Sequence, residues 1–150
     1  MSSLIKMSEA ASIALHAMSL LAHGGKDKFS VKEIAARLKV SEPHLSKVLQ
    51  RLAKSGLVQS TRGPGGGFSL KLPAAEISLL HIYETIEGPL SHSRCLFNHP
   101  VCQGEQCVIG GLLEPVDRMA VEYLSGTHLS ELHKVFGGKE DARDPEDNRD

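Results

Sequence analysis

Only two residues separate two short capped helices in the first half of this sequence, and this spacing limits the fold more than any other feature. Ser30 has the place of a helix N-cap, with Glu33 three residues later as its partner in a capping box. Ser41 begins the next helix in the same way, and Pro43 lies in the first turn, where a missing N–H costs nothing. Residues 39–40 leave room only for a tight turn, so the pattern predicts a helix-turn-helix.

The segments on either side of this pair complete a larger unit. Apolar residues recur with the spacing of an amphipathic helix through residues 8–22. Residues 57–61 and 67–72 are predicted to be short strands, because the Arg-Gly-Pro-Gly-Gly sequence at residues 62–66 is typical of a hairpin tip. The order helix, helix, turn, helix, hairpin predicts a winged helix-turn-helix domain over residues 1–75.

The second half of the chain has fewer and more widely spaced elements. Its apolar spacing predicts a helix at residues 78–86, a longer helix at residues 112–124 and a last short helix at residues 128–136. Residues 137–150 are highly charged and poor in apolar side chains, which predicts a disordered acidic tail. We therefore expect a mainly α fold with a small β-hairpin wing, in which residues 76–136 follow the winged helix as a second unit.

Charge is divided unevenly between the two halves of the chain. Residues 1–73 carry eleven Lys or Arg against four Asp or Glu, a net +7, whereas residues 74–150 carry six against fourteen, a net −8. A basic half joined to an acidic half favours a polyanionic partner for the basic half alone. The sequence has no apolar run of membrane-spanning length and no signal-peptide pattern, so we expect a cytoplasmic protein, in which structural disulfides are rare.

The second helix of the predicted helix-turn-helix would offer DNA a polar and basic face. In such folds this helix enters the major groove, where short polar groups and cations reach base edges and phosphates. An arginine among the glycines of the wing is suited to a narrow minor groove. The predicted DNA-binding residues are Ser41, His44, Ser46, Lys47, Gln50, Arg51, Arg62 and Gly63. No nucleophile set, phosphate-cradling loop or pair of carboxylates indicates an enzyme.

The stretch CLFNHPVCQGEQC, residues 95–107, holds every cysteine in the chain. Its spacing is Cys-x6-Cys-x4-Cys, without the Cys-x2-Cys pair that is commonest in structural zinc sites. A polar, turn-rich loop of this kind can surround a large object, and iron–sulfur clusters prefer soft thiolate ligands. Two alternatives are a thiol sensor and a zinc site whose fourth ligand is His99 or His92.

The predicted winged helix resembles the core of the Rrf-type bacterial transcriptional regulators, the family of IscR, NsrR and RirA. The likeness lies in VKEIAARLKVSEPHLSKVLQRLAKSGLVQSTRGPGGGFSL (residues 31–70), where the RGPGGGF wing is highly specific, and in ISLLHIYETIEG (residues 77–88), which is similar to the family's linker helix. The resemblance covers about residues 4–136. It implies a homodimer on a near-palindromic double-stranded DNA operator, with residues 112–124 as the dimerisation helix. The alternative is that this apolar helix packs only on its own subunit.

The same resemblance implies a ligand role for the three cysteines. In the resembled regulators such a loop holds a [2Fe-2S] or [4Fe-4S] cluster, usually with spacing near Cys-x5-Cys-x5-Cys, so this chain differs by one residue in each gap. The implied metal ligands are Cys95, Cys102 and Cys107. Some members have a histidine three residues after the last cysteine, but Gly110 has that position here.

The fourth ligand is therefore open. Some members of the family take it from the first helix of the partner subunit, and here a polar stripe on that helix carries His16 and Glu9. We rank His16 first, then Glu9, then His99 or His92; the alternative is that these side chains are ordinary surface residues. The resulting hypothesis is a homodimeric, sequence-specific DNA-binding regulator whose operator affinity is switched by an iron–sulfur cluster held in the loop from Cys95 to Cys107. A cluster-free thiol or zinc sensor and a protein-binding adaptor are the competing interpretations.

Overall fold

Helices and one short β-hairpin make up the part of the chain that the structure describes. The computed structural model describes residues 7–90, 95–97, 99, 101–102, 107–132 and 134–136. Within these ranges a mainly α winged helix is present, as predicted. In chain order the elements are α1 (Glu9–His23), α2 (Val31–Leu38), α3 (Glu42–Lys54), β1 (Val58–Thr61), β2 (Gly67–Leu70), a 3-10 turn (Ala74–Glu76), α4 (Leu79–Glu87), α5 (Gly110–Gly126) and a second 3-10 turn (Leu129–Leu132).

α1 lies at the centre of the apolar core. Ala11, Ala14 and Ala17, together with Met18 and Leu21, are fully buried in this helix, against which α3 and α4 pack. Small side chains allow these helices to approach closely, which compensates for the absence of Trp. Ile82 of α4 and Leu124 of α5 belong to the same cluster of buried residues. The core is therefore continuous between the winged helix and the elements that follow it.

The polar stripe predicted along α1 is interrupted. Ser19 is only 5% exposed, and its hydroxyl donates to the Leu15 carbonyl oxygen at 2.8 Å. A serine can be buried in a helix when its hydroxyl bonds to the carbonyl one turn earlier. Glu9 and His16, in contrast, are exposed. The polar stripe is therefore not solvated at Ser19, because residue type alone does not reveal this internal hydrogen bond.

The turn between α2 and α3 is built as the capping residues predict. The Ser30 N–H donates to the Glu33 carboxylate at 2.7 Å, and the Glu33 N–H donates to the Ser30 hydroxyl at 3.2 Å. The pKa of Glu33 is lowered, chiefly because the Ser30 backbone N–H donates to its carboxylate. Lys39 ends α2 with a φ of 56°, in the left-handed region, and Ser41 caps α3 by accepting the His44 N–H at 3.4 Å.

Removing the Ser30 cap should weaken the fold measurably. We expect Ser30→Ala to lower the free energy of unfolding by about 1 kcal/mol, because one N–H at the start of α2 loses its acceptor. Ser60→Ala is the matched control, since Ser60 is exposed on β1 and caps no helix. Urea unfolding followed by circular dichroism measures both, and equal midpoints for the two variants would contradict the role of Ser30.

The wing is an antiparallel hairpin attached to the segment before α2. β1 pairs with β2 from Val58 opposite Leu70 to Thr61 opposite Gly67. The Phe29 N–H donates to the Phe68 carbonyl at 3.0 Å, and the Phe68 N–H donates to the Phe29 carbonyl at 2.8 Å. Phe29 thus adds a third backbone to the sheet for one residue and fixes the base of the wing.

The last elements return to the start of α4. The Leu79 N–H donates to the Thr127 carbonyl at 2.9 Å, and the Leu129 N–H donates to the Ile77 carbonyl at 3.0 Å. The helix predicted at residues 128–136 is only the 3-10 turn Leu129–Leu132. The prediction was wrong because the chain there makes tight turns, in which the Glu131 N–H donates to the His128 carbonyl and the Val135 N–H donates to the Leu132 carbonyl, instead of a continued α-helix. The predicted tail at residues 137–150 lies outside the described residues. No helix in the described part is long and apolar enough to cross a membrane.

Candidate DNA interface and cysteine segment

The predicted recognition residues lie on the side of α3 that faces away from the core. The buried side consists of Leu45, Val48, Leu49 and Leu52. On the other side Lys47 and Gln50 are exposed, whereas His44 and Ser46 are partly exposed. Ser41 is exposed at the N-terminus of the helix. This arrangement leaves a polar face, beginning at a helix N-terminus, available to base edges and phosphates.

Arg51 differs from the other predicted DNA-binding residues of α3. Its guanidinium Nη2 donates to the Ile86 carbonyl oxygen at 2.6 Å and lies 3.4 Å from the Thr85 carbonyl oxygen. Both carbonyls belong to the last turn of α4, so the structure brings Arg51 to another helix of the same subunit. Sequence reasoning missed this contact because 35 residues separate Arg51 from Ile86.

The start of α1 lies beside the start of α3. The Glu9 carboxylate is 3.9 Å from Nδ1 of His44, and the Glu9 side chain is 76% exposed. Glu9 was the second choice for a cluster ligand in the sequence analysis, whereas His44 was assigned to DNA. Their proximity places one candidate ligand next to the candidate DNA interface. The contact is long and largely exposed, so it contributes little to stability.

The tip of the wing is exposed and rich in glycine. Arg62 and Gly63 both lie in it, as predicted, and Gly63 has a φ of 91°. Gly66 has no space for a side chain, since a Cβ there would overlap the Thr61 carbonyl oxygen. The glycines therefore fold the tip tightly and leave the Arg62 side chain at its edge.

The three cysteines lie between α4 and α5 as reduced thiols. None forms a disulfide, and Cys102 and Cys107 are exposed whereas Cys95 is half-buried. The Phe97 N–H donates to the Cys95 sulfur at 3.4 Å. Such a donor stabilises a thiolate and is found around metal-bound sulfur. Within the described ranges, no three His, Cys, Asp or Glu side chains are gathered as a metal site. Cysteine thiols are suitable ligands for an iron–sulfur cluster, but in the described residues the three sulfurs are not gathered around one point.

His16 has the hydrogen bonding of a potential ligand. It is exposed on α1, and its Nδ1 lies 2.7 Å from the Ser12 carbonyl oxygen. A carbonyl only accepts, so Nδ1 is the donor in this contact, and Nε2 is the ring nitrogen that remains for a metal. His99 is exposed in the cysteine segment. His92 lies outside the described residues.

α5 has two apolar faces and therefore more apolar surface than its own subunit covers. α5 packs against α4, and its buried face carries Leu113, Ala120 and Leu124 together with Asp117, which is only 3% exposed. Nothing in the apolar spacing predicted that this carboxylate would be buried. The second face, called here the outer face of α5, consists of Leu112, Val116, Met119 and Tyr123. Met119 is 70% exposed and Tyr123 is 60% exposed.

The chain is similar to known regulators over most of its length. The Rrf2 family, described as an iron-dependent transcriptional regulator, matches residues 7–134. A protein of Haemophilus influenzae that is named as an HTH-type transcriptional regulator is 32% identical over 115 residues. The match covers 77% of this chain and 75% of that protein.

Two solved structures have the same fold. CymR (YrzC), the global cysteine regulator of Bacillus subtilis, superposes with a TM-score of 0.74 at 29% identity, covering 87% of this chain and 98% of that one. IscR of T. potens superposes with a TM-score of 0.68 at 28% identity, covering 87% and 88%. The family match includes the winged helix, the cysteine segment and α5. The protein is a DNA-binding transcriptional regulator of the Rrf2 family, and not an enzyme.

Proposed function

We propose that the protein is a homodimeric, sequence-specific regulator whose operator affinity depends on an iron–sulfur cluster held by its cysteine segment. The observation that carries this proposal is the position of the three thiols. They lie on the connection between α4, which packs on the DNA-binding helices, and α5, which has an uncovered apolar face. A group bound there would touch the two parts of the subunit that set the spacing of its recognition helices.

DNA binding in this proposal uses α3 and the wing. His44, Ser46, Lys47 and Gln50 would reach base edges and phosphates in the major groove, because all four lie on the uncovered side of α3. Arg62 would enter the minor groove from the wing tip. Two subunits would place two copies of α3 on a near-palindromic operator. The basic first half supports this choice of partner.

The dimer in this proposal forms through the outer face of α5. Residues separated by four, three and four positions share one side of a helix, and here all four are apolar. Large apolar side chains grouped on one exposed face mark an interaction site. A second copy of the chain would cover this face symmetrically, and each subunit would contribute the same four side chains.

The cluster ligands in this proposal are Cys95, Cys102 and Cys107, with His16 of the partner subunit as the fourth. A bound iron–sulfur cluster would supply a redox-active, oxidant-sensitive group. The Phe97 N–H would stabilise the Cys95 thiolate, and the Ser12 carbonyl would hold His16 with Nε2 directed away from the helix backbone. Ordering the cysteine segment in one arrangement would favour one spacing of the two recognition helices, which is the differential stabilisation that a switch requires.

Anaerobic purification tests this proposal directly. We expect a brown protein with iron and sulfide in comparable amounts and visible absorption, and we expect Cys95→Ala and Cys107→Ala to lose the iron and to change operator affinity. Val101→Ala is the matched control, because Val101 is exposed in the same segment and has no ligand atom. Equal operator binding by the iron-loaded and iron-free protein would refute the coupling, even if the cluster is present.

A second candidate is a cluster-free regulator that senses thiol chemistry or zinc. Two observations favour it: Cys102 and Cys107 are exposed thiols, and CymR, the global cysteine regulator, has the same fold. A colourless protein that stays iron-free after anaerobic reconstitution would support this candidate. Zinc content would then separate a metal site from a thiol switch.

A further inference from the structure

The end of α4 is a junction where three other parts of the subunit meet. Arg51, in the last turns of α3, donates to the Ile86 carbonyl. The Glu87 carboxylate accepts the Ser8 N–H at 3.2 Å, which attaches the N-cap of α1. The Glu84 carboxylate accepts the Leu90 N–H at 3.1 Å, which holds the chain as it leaves α4 toward the cysteines.

Arg51 is chemically well suited to this junction. The last carbonyls of a helix have no partner within the helix, and they form the negative end of its dipole. A guanidinium offers several donors and a permanent positive charge, so it can satisfy these carbonyls better than a neutral group. The 2.6 Å distance from Nη2 to the Ile86 oxygen is that of a strong charge-assisted hydrogen bond.

We propose that Arg51 is a positioning residue for operator binding, which fixes the angle of α3 against α4 instead of contacting a DNA phosphate. α3 packs on α1 through its apolar face, but apolar packing alone permits small rotations of a helix about its contacts. A hydrogen bond to a fixed backbone carbonyl removes that freedom near the end of α3. The residues ahead of it, Lys47 and Gln50, are then held in one orientation toward the groove.

The salt dependence of operator affinity separates the two roles of Arg51. The logarithm of the operator association constant falls linearly with the logarithm of the salt concentration. Each lost phosphate contact reduces the magnitude of that slope by about 0.9, because one fewer counterion is released. We expect Arg51→Met to weaken operator binding by about tenfold without changing this slope. A tenfold loss corresponds to about 1.4 kcal/mol, which is the size of effect expected when a hydrogen bond that orients a helix is lost. Lys47→Met is the matched control on the same exposed face of α3, and we expect it to lower the slope.

Arg51→Lys is the second variant, and it keeps the role of Arg51 testable if Arg51→Met does not fold. It keeps the charge but has a single point donor, so a positioning role predicts a several-fold loss of affinity at an unchanged slope. In the proposed dimer the substitution is present in both subunits. A slope whose magnitude falls by about 1.8 in Arg51→Met, about 0.9 for each subunit, together with near-normal binding by Arg51→Lys, would show a phosphate contact and overturn the proposal. Normal affinity in both variants, at a temperature where circular dichroism shows them folded, would also overturn it. Operator binding by the wild-type protein, and its dependence on salt, test the proposed function separately from the role of Arg51.

Discussion

In the proposed dimer, replacing Met119 by glutamate should separate the two subunits and weaken operator binding by about 100-fold or more. Met119 lies at the centre of the outer face of α5 and is 70% exposed in the single subunit, so the substitution leaves the core intact. In a symmetric dimer the variant would bury two carboxylates in an apolar contact, at a cost of several kcal/mol. Each recognition helix would then bind its half-site without the benefit of the other.

Light scattering coupled to size exclusion measures the first effect, and fluorescence anisotropy with a labelled operator measures the second. Ser125→Glu is the matched control, because Ser125 is exposed on the polar side of the same helix and receives the same charge. We expect that control to remain dimeric with normal operator affinity. A dimeric Met119→Glu variant would show that the subunits associate through another surface.

Local sequence signals predicted the DNA-binding half closely because they act over three or four residues. Ser30 and Glu33 form their capping box, and Ser41 caps α3, as residue type and spacing indicate. The hairpin occupies Val58–Thr61 and Gly67–Leu70, within two residues of the predicted strands. Caps, periodic apolar residues and glycine turns are properties of the chain within one or two helical turns, so a single sequence contains them.

The contacts that join distant segments could not be predicted in this way. Arg51 was assigned to DNA because it is basic and lies on the outer side of α3, yet its guanidinium bonds to carbonyls 34 and 35 residues away. Asp117 is a polar position in an apolar helix, but it lies on the buried face of α5 and is only 3% exposed. Which polar groups end up between two helices depends on how the helices cross, and that angle is set by the whole core.

Replacing Gly67 by alanine should damage the base of the wing. Gly67 has a φ of 154°. A Cβ at this position would lie 2.6 Å from the Phe29 carbonyl oxygen and 2.7 Å from the Phe29 carbonyl carbon. Both are backbone atoms held by the Phe29–Phe68 pairing, so they cannot move aside as a side chain would. We expect the free energy of unfolding to fall by about 2 to 4 kcal/mol from strain and overlap together.

The functional consequence follows from what the Phe29–Phe68 bridge holds in place. If the bridge opens, the hairpin loses its connection to the segment before α2, and Arg62 no longer has a fixed position relative to α3. Operator affinity of Gly67→Ala should therefore fall about tenfold at temperatures where the protein stays folded, through loss of one groove contact. Gly126→Ala is the control, because nothing lies within 4 Å of a Cβ added at the end of α5. Normal operator binding by folded Gly67→Ala would mean that the wing does not contact DNA, and recognition would then depend on α3 alone.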